Sequence, residues 1–375
     1  MHVLLAPDKF KGTLTAGEVA DHLAAGIAAS RPDVQVARVP VADGGDGLLD
    51  AAVHAGFEPV PVEARDASGT TQDTCYVRRG REAVVELAEV CGLSRHAGRV
   101  LDPLGASSRG VGEVVARALA DGCDRIVVGV GGSASTDGGA GMLQALGARA
   151  LDGSGEPVGD GGAALLDVVR LELDALDAAL ADAEIVVACD VTNPLTGPAG
   201  AAAVYGPQKG ADEDQVRLLD RALSHWADVV ANATGEDLRD TPGAGAAGGV
   251  GFGTLVLGAR LRTGAEVVFE LTHFEDALAG ATLVVTGEGS LDPQTLHGKA
   301  PARVAERARS RGVPVVAVAG RCSLDEVRLQ EAGFTASYSL TEEADAEEAM
   351  TRPGPLLERI GARIAADLPA VVEES

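Results

Sequence analysis

Seven short apolar runs punctuate the chain, at residues 3–6, 34–39, 83–87, 125–130, 185–188, 283–286 and 315–319, built mainly from Val, Ile, Leu and Ala. A strand with one wet face alternates apolar and polar residues, whereas a strand covered on both faces can be apolar throughout. Helical patterns fill the intervals, and this alternation predicts an α/β fold with mostly parallel strands. One helix is expected from Thr15, where T-A-G-E places Glu18 three residues on as a capping box and Val19, Leu23 and Ile27 share a face. Another is expected from Asp212, with an acidic first turn and a stripe of Val216, Leu219, Leu223, Trp226 and Val230. At 375 residues the chain exceeds what one hydrophobic core supports, so two domains are expected.

Composition excludes several classes of function. The formal charge of -25 repels phosphate backbones, and no basic stripe with interleaved aromatics occurs, so nucleic acid is not an expected partner. MHVLLAPDKF passes straight from a short apolar run into Pro and charge, and no apolar run reaches the roughly 20 residues a bilayer requires. No membrane association is expected. Five scattered cysteines without C-x-x-C pairing read as buried small hydrophobes in a reducing cytoplasm. The Gly-rich stretch at 241–253 and the turn-rich stretch at 61–70 look like linkers, and the acidic tract at 341–349 reads as a solvated helix start.

In open α/β sheets ligands bind at the carboxyl ends of strands. Five of the seven expected strands deliver a carboxylate there, usually beside glycine: Asp8; Asp43 and Asp46; Asp137; Asp190; and Glu288 with Asp292. Asp and Gly also make turns. Carboxylates gathered at one edge, however, repel one another unless a cation sits among them, and Mg²⁺ with a nucleotide is the sharper expectation. Only four of the 31 cationic Lys and Arg residues are lysine, and all four (Lys9, Lys11, Lys209, Lys299) lie in Gly-containing, turn-rich stretches. A compact ammonium suits phosphate oxygens or a small carboxylate.

The segment at 129–141, GVGGSASTDGGAG, runs from a strand into a helical pattern, an order that can cradle phosphate on backbone amides. No G-x-x-x-x-G-K-[ST] loop occurs. The lone G-x-G-x-x-G match (Gly243, Gly245, Gly248) follows DLRDTP rather than a strand and is rejected as a dinucleotide fingerprint.

Eight segments in this order, APDKFKGTLTA, VADGGDG, GVGGSASTDGGAGM, ACDVTNPLTGP, YGPQKGA, PGAGAAGG, VVTGEGSLDPQT and HGKAP, resemble the motif series of the type I bacterial glycerate kinases, the glycerate 2-kinases, from residue 1 to about residue 320. The resemblance implies a cytoplasmic enzyme that uses ATP, with Mg²⁺ as cofactor, to turn D-glycerate into 2-phosphoglycerate. It also implies a doubly wound, Rossmann- or flavodoxin-like α/β domain assembled from both chain ends (1–65 plus 275–375), a second α/β domain inserted at 66–274, and an active-site cleft between them.

Chemistry then suggests roles. Gly131, Gly132, Ser133 and Ser135 would cradle the ATP phosphates, with Asp137 bracing that cofactor loop through a hydrogen bond. Asp190 would be the base or orienter for the glycerate hydroxyl, and Asp43, Asp46, Glu288 and Asp292 are the candidates for Mg²⁺. Lys11, Lys209 and Lys299 would neutralise phosphate or grip the glycerate carboxylate, with Asp8, Asn193 and His297 completing the substrate set. Two alternatives stay open: a kinase that yields 3-phosphoglycerate or acts on another small hydroxy acid, and a non-catalytic nucleotide or anion binder. A monomer and a homo-oligomer both fit the sequence.

Overall fold

A computed structural model of the chain describes residues 1–96, 101–176 and 178–373. Its strands, in chain order, are β1 (His2–Pro7), β2 (Gln35–Arg38), β3 (Glu58–Arg65), β4 (Thr71–Arg79), β5 (Glu82–Glu86), β6 (Arg125–Gly129), β7 (Arg149–Leu151), β8 (Arg170–Glu172), β9 (Glu184–Ala188), β10 (Arg260–Arg262), β11 (Leu283–Leu291), β12 (Val315–Cys322) and β13 (Ala336–Ser339). The chain packs as two compact units. A terminal unit combines Met1–Asp43, Asp50–Gly56 and the chain from Ala265 onward; a central unit holds Gly44–Leu49 and Phe57–Gly264. Among the described residues no helix is long and apolar enough to cross a membrane.

The terminal unit is built on a parallel sheet of order β13-β12-β11-β1-β2. Consecutive residues of its inner strands are buried (Val3, Leu4 and Leu5; Leu283, Val284 and Val285), so both faces of the sheet are covered. Thr15 opens the helix Ala16–Ser30 with the expected capping box: its hydroxyl accepts from the Glu18 amide, and the Glu18 carboxylate accepts from the Thr15 amide at 2.8 Å. That helix packs against the last one, Pro353–Glu373. The two approach so closely that a Cβ on Gly26 would lie 1.9 Å from the Glu358 carbonyl oxygen. The acidic tract forms two short helices, Leu340–Glu343 and Ala346–Thr351, the second capped by Asp345.

The central unit carries a mixed sheet of order β10-β9-β6-β5-β4-β3, in which β10, β9, β6 and β5 run parallel while β4 and β3 are added antiparallel. The β3–β4 hairpin corrects the linker expected at 61–70. Residues 61–65 pair along β4, and Asp66 Oδ1 accepts the amides of Ser68 and Thr70 to close the turn. This pairing ties residues 57–65 to the central unit, whereas residues 265–274 fall in the terminal one. The Gly-rich stretch at 241–253 is no linker either. Ala244, Ala246, Gly248, Val250 and Phe252 are buried, and glycines between them let the backbone pack closely inside the unit, as at Gly248, where a Cβ would lie 2.0 Å from the Ser135 carbonyl oxygen. The helix Glu213–Thr234 has Asp212 and Gln215 as its capping box and buries Leu219, Leu223, Trp226 and Val230.

Candidate active site

In the terminal unit, the carboxyl ends of β1 and β11 gather charge. Asp8 follows β1 directly; its amide donates to the Gly287 carbonyl at 2.8 Å, and its Oδ1 accepts the Lys9 amide at 2.7 Å. The residue is only 8% exposed, and burial, joined by the nearby charge of Asp43, pushes its carboxyl up to about 7. The Lys9 amide and ammonium pull the other way, and Glu288 adds a small upward push. At that value the group can hold or release a proton near neutral pH.

β11 runs to Leu291, beyond the expected end at 286, so Glu288 lies within the strand and only Asp292 follows it. Glu288 Oε1 accepts the Thr295 hydroxyl at 2.6 Å and its Oε2 accepts Lys299 Nζ at 3.0 Å. Both oxygens therefore have protein partners, and one of them holds Lys299. Lys299 caps the helix Ala300–Ser310, with Pro301 in the first turn. Burial alone would lower its pKa, but the hydrogen bond and charge of Glu288, with Asp292 and Asp43, outweigh that and hold the ammonium above its usual value. Asp292 Oδ1 accepts the amides of Gln294 and Thr295, so it shapes the turn. Lys11 is exposed on a tight turn closed by reciprocal amide–carbonyl bonds between Phe10 and Leu14. The side chain of His297 lies outside the described residues.

The structure divides the proposed metal set, with Asp43, Glu288 and Asp292 in the terminal unit and Asp46 in the central one. Among the described residues no three His, Cys, Asp or Glu side chains are grouped to hold a metal. Sequence reasoning missed Glu86, the last residue of β5, because the expected strand at 83–87 absorbed it. Glu86 is 2% exposed and accepts the amides of Gly47 at 3.1 Å and Leu49 at 3.0 Å, fixing the chain that follows Asp46. Burial pushes it up to about 7; the two amides lower it, and Asp46 and Glu89 raise it.

The loop after β6 departs most from expectation. Gly132 is exposed and Gly131 half-buried, whereas Ser133, Ser135, Thr136 and Asp137 are buried. Asp137 accepts the Ser108 amide and hydroxyl, each at 2.8 Å, and the amides of Gly139 at 3.2 Å and Gly141 at 3.3 Å. Burial raises its pKa while these bonds oppose the rise. At the start of the following helix, Ala140–Ala145, the Gly141 amide is taken by this internal carboxylate and the Met142 amide by Ser108 Oγ at 3.1 Å. Ser135 Oγ is buried without a hydrogen-bond partner, as is Thr136 Oγ1, and neither faces solvent. This leaves the Gly131–Gly132 edge as the accessible part of the loop.

Two substrate candidates of this unit are engaged internally. Asn193 donates to the Ala199 carbonyl at 2.8 Å and accepts the Tyr205 hydroxyl at 2.7 Å, so both ends of its amide hold the segment at 193–205 together. Lys209 is 2% exposed, with its ammonium directed at Ser133 and Ser135 instead of outward. Asp190, after β9, is exposed, and its Oδ1 accepts the Gly264 amide at 3.0 Å.

Comparison with known proteins gives the same picture along the whole chain. The model of the "Glycerate kinase family" matches residues 3–369, so the resemblance extends past the limit near 320 that the motifs suggested, into the last helix. The chain is 41% identical to "Glycerate kinase" of Bacillus subtilis over 98% of both chains. It is also 41% identical to "Glycerate 2-kinase" of Escherichia coli, covering 91% of this chain and 90% of that one. The crystal structure of "putative glycerate kinase 2" from Salmonella typhimurium LT2 superposes with a TM-score of 0.89 at 39% identity, over 99% of this chain and 98% of the other. Motif order, two α/β units and similarity over nearly the full length agree, and the chain belongs to the glycerate kinase family.

Proposed function

We propose that this kinase transfers the γ-phosphoryl group of ATP to the 2-hydroxyl of D-glycerate, releasing ADP and 2-phosphoglycerate. The observation that carries the reading is the strand-end cluster of the terminal unit, where a charged Lys299 held by Glu288 shares a neighbourhood with Asp8 and Asp43. Glycerate is recognised chiefly through its carboxylate, and a cation answers it directly. Asp8, with its carboxyl pushed up to about 7, can keep a proton and donate a hydrogen bond to that anion instead of repelling it. Lys299 and Lys11 are the cations of this unit assigned to substrate charge. Unlike Asp292, whose oxygen serves a turn, Asp43 is an exposed carboxylate crowded by Asp8.

In the central unit, we assign the accessible Gly131–Gly132 edge to the ATP phosphates, with Ser133 beneath it, and Asp190 to the reacting hydroxyl. The glycerate oxygen forms a bond to the γ-phosphorus as the bond to the β–γ bridging oxygen breaks. The hydroxyl proton passes to Asp190, and the electron pair leaves with ADP. The amide of Gly264 orients the Asp190 carboxylate for that task. Hard oxygen donors of opposing charge fit Mg²⁺, which takes one or two carboxylates and fills its shell with phosphate and water. Asp43, with Asp8 beside it, is the fitting protein donor, and the ion would supply charge neutralisation on the phosphates. The five cysteines, all free thiols, suit the reducing cytoplasm in which we place the enzyme.

A coupled ADP-release assay with D-glycerate tests the activity, and NMR of the product assigns the phosphorylated carbon. Phosphate on carbon 3, or faster turnover of a different hydroxy acid, would replace this reading by its alternative. Asp190→Asn should lower kcat by roughly 100-fold or more if the carboxylate takes the proton, and near-native turnover removes it from that role.

A further inference from the structure

The buried lysine of the GPQKG segment has no part in the assignments above. Lys209 ends the short 3-10 helix Pro207–Lys209, and Gly210 behind it turns the chain left-handed at φ +90°. Nζ donates to Ser133 Oγ at 2.8 Å and to the Ser135 carbonyl oxygen. Both acceptors belong to the phosphate-side loop. Space for this contact comes from Gly248, the last glycine of the rejected G-x-G-x-x-G match. Its φ is +71°, and a Cβ there would stand 2.0 Å from the Ser135 oxygen and 2.8 Å from Lys209 Nζ. Gly248 also accepts the Gly138 amide at 3.0 Å, and on the other side Ala134 donates to the Cys91 carbonyl at 2.9 Å and Leu93 to that of Gly132 at 2.8 Å. The segment at 133–136 belongs to neither helix nor strand, so directional contacts of this kind decide its shape.

We propose that Lys209 is a positioning residue for ATP: it never meets the phosphates, but pins Ser133 and Ser135 from within so that the Gly131–Gly132 edge holds a shape its amides can offer to them. The proposal rests on the reading that this loop takes the phosphates. An apolar side chain could fill the same space without the penalty of a buried amine, yet it would leave the loop without two directional bonds. Burial pulls Lys209 down to about 7, opposed by the charge of Asp137, and the neutral amine still has two N–H groups for its two acceptors.

Three variants test it by steady-state kinetics alongside thermal melting. Lys209→Met keeps the length and removes the donors; we expect KM for ATP to rise about tenfold while KM for D-glycerate stays within about twofold, the split that separates positioning from general loss of structure. Ser133→Ala removes one acceptor and should raise KM for ATP by about threefold. It decides the matter if Lys209→Met does not fold. Gly132→Ala, at a φ of +66° with Ala88 Cβ 3.6 Å away, strains the backbone of the exposed edge itself and so probes the phosphate reading without touching Lys209. If Gly132→Ala weakens ATP while the Lys209 and Ser133 variants lose only melting temperature, Lys209 is a structural brace and the proposal fails. If none of the three moves KM for ATP, the phosphate reading of the loop fails with it.

Discussion

The strand ends of the two units use one vocabulary, Asp beside Gly, for opposite purposes. After β1 in the terminal unit, Asp8 is buried with one backbone amide for its carboxylate, and burial, joined by the charges of Asp43 and Glu288, raises its carboxyl. After β6 in the central unit, Asp137 is wholly buried but surrounded by donors from Ser108, Gly139 and Gly141. Burial alone does not decide whether a carboxylate is satisfied. What separates the two is whether the fold supplies enough donors to use up its oxygens.

The largest expected effect would sharpen that contrast from the central side. Asp137→Ala should cost about 3–5 kcal/mol or prevent folding, because several buried donors lose their acceptor at once; urea unfolding measures it, and a loss under about 1 kcal/mol would break the comparison. On the terminal side Lys299→Ala should cut kcat/KM by roughly 100-fold, about 2.7 kcal/mol, with a much smaller change in melting temperature. Wild-type turnover in that variant would show the Lys299–Glu288 pair to be a brace like Asp137.

Titration gives a third, smaller test. Glu86 binds its proton more tightly folded than unfolded, its value being raised from 4.5 to about 7, so its contribution to stability is present at low pH and lost as pH rises through that window. Lys209 is lowered from 10.5 to about 7, so the unfolded chain holds a proton that the folded one has shed, and stability should recover as pH rises from about 7 towards 10.5. Asp137 is the charged group that faces it. Denaturation measured across pH should show a smaller fall in Glu86→Gln, the remainder belonging to Asp8, and should lose the recovery in Lys209→Met, and unchanged curves would contradict these assignments. The smallest effect belongs to Asp292→Asn, which keeps a turn-forming side chain and should change kcat by less than about twofold. A large loss would return Asp292 to the metal set.

Much of this was readable in advance. Apolar runs marked seven strands, and the Thr15 and Asp212 boxes marked two helix starts, because each signal is local: a capping residue and its partner lie three positions apart. The β3–β4 hairpin was not legible, since its residues include Pro59, Pro61 and several charges that resemble a loop until they pair across the turn. Glu86 escaped because a carboxylate inside an apolar run looks like the end of a strand, and its amide donors lie 37 and 39 residues away.

The sequence by itself determined the α/β class, the two-unit size, the carboxylates at the strand ends and the family motif series. Only the tertiary structure decided which of the polar residues are already engaged. Asn193 and Lys209 read as ligand-binding groups in the chain and Asp137 as a brace, and each is engaged by partners within the central unit. Asp8 is buried like Asp137, yet it finds one amide and the like charges of Asp43 and Glu288, opposed by the Lys9 ammonium. Residue type and spacing fix what a side chain can bind, but its free valence depends on neighbours remote in sequence, and those are set by folding.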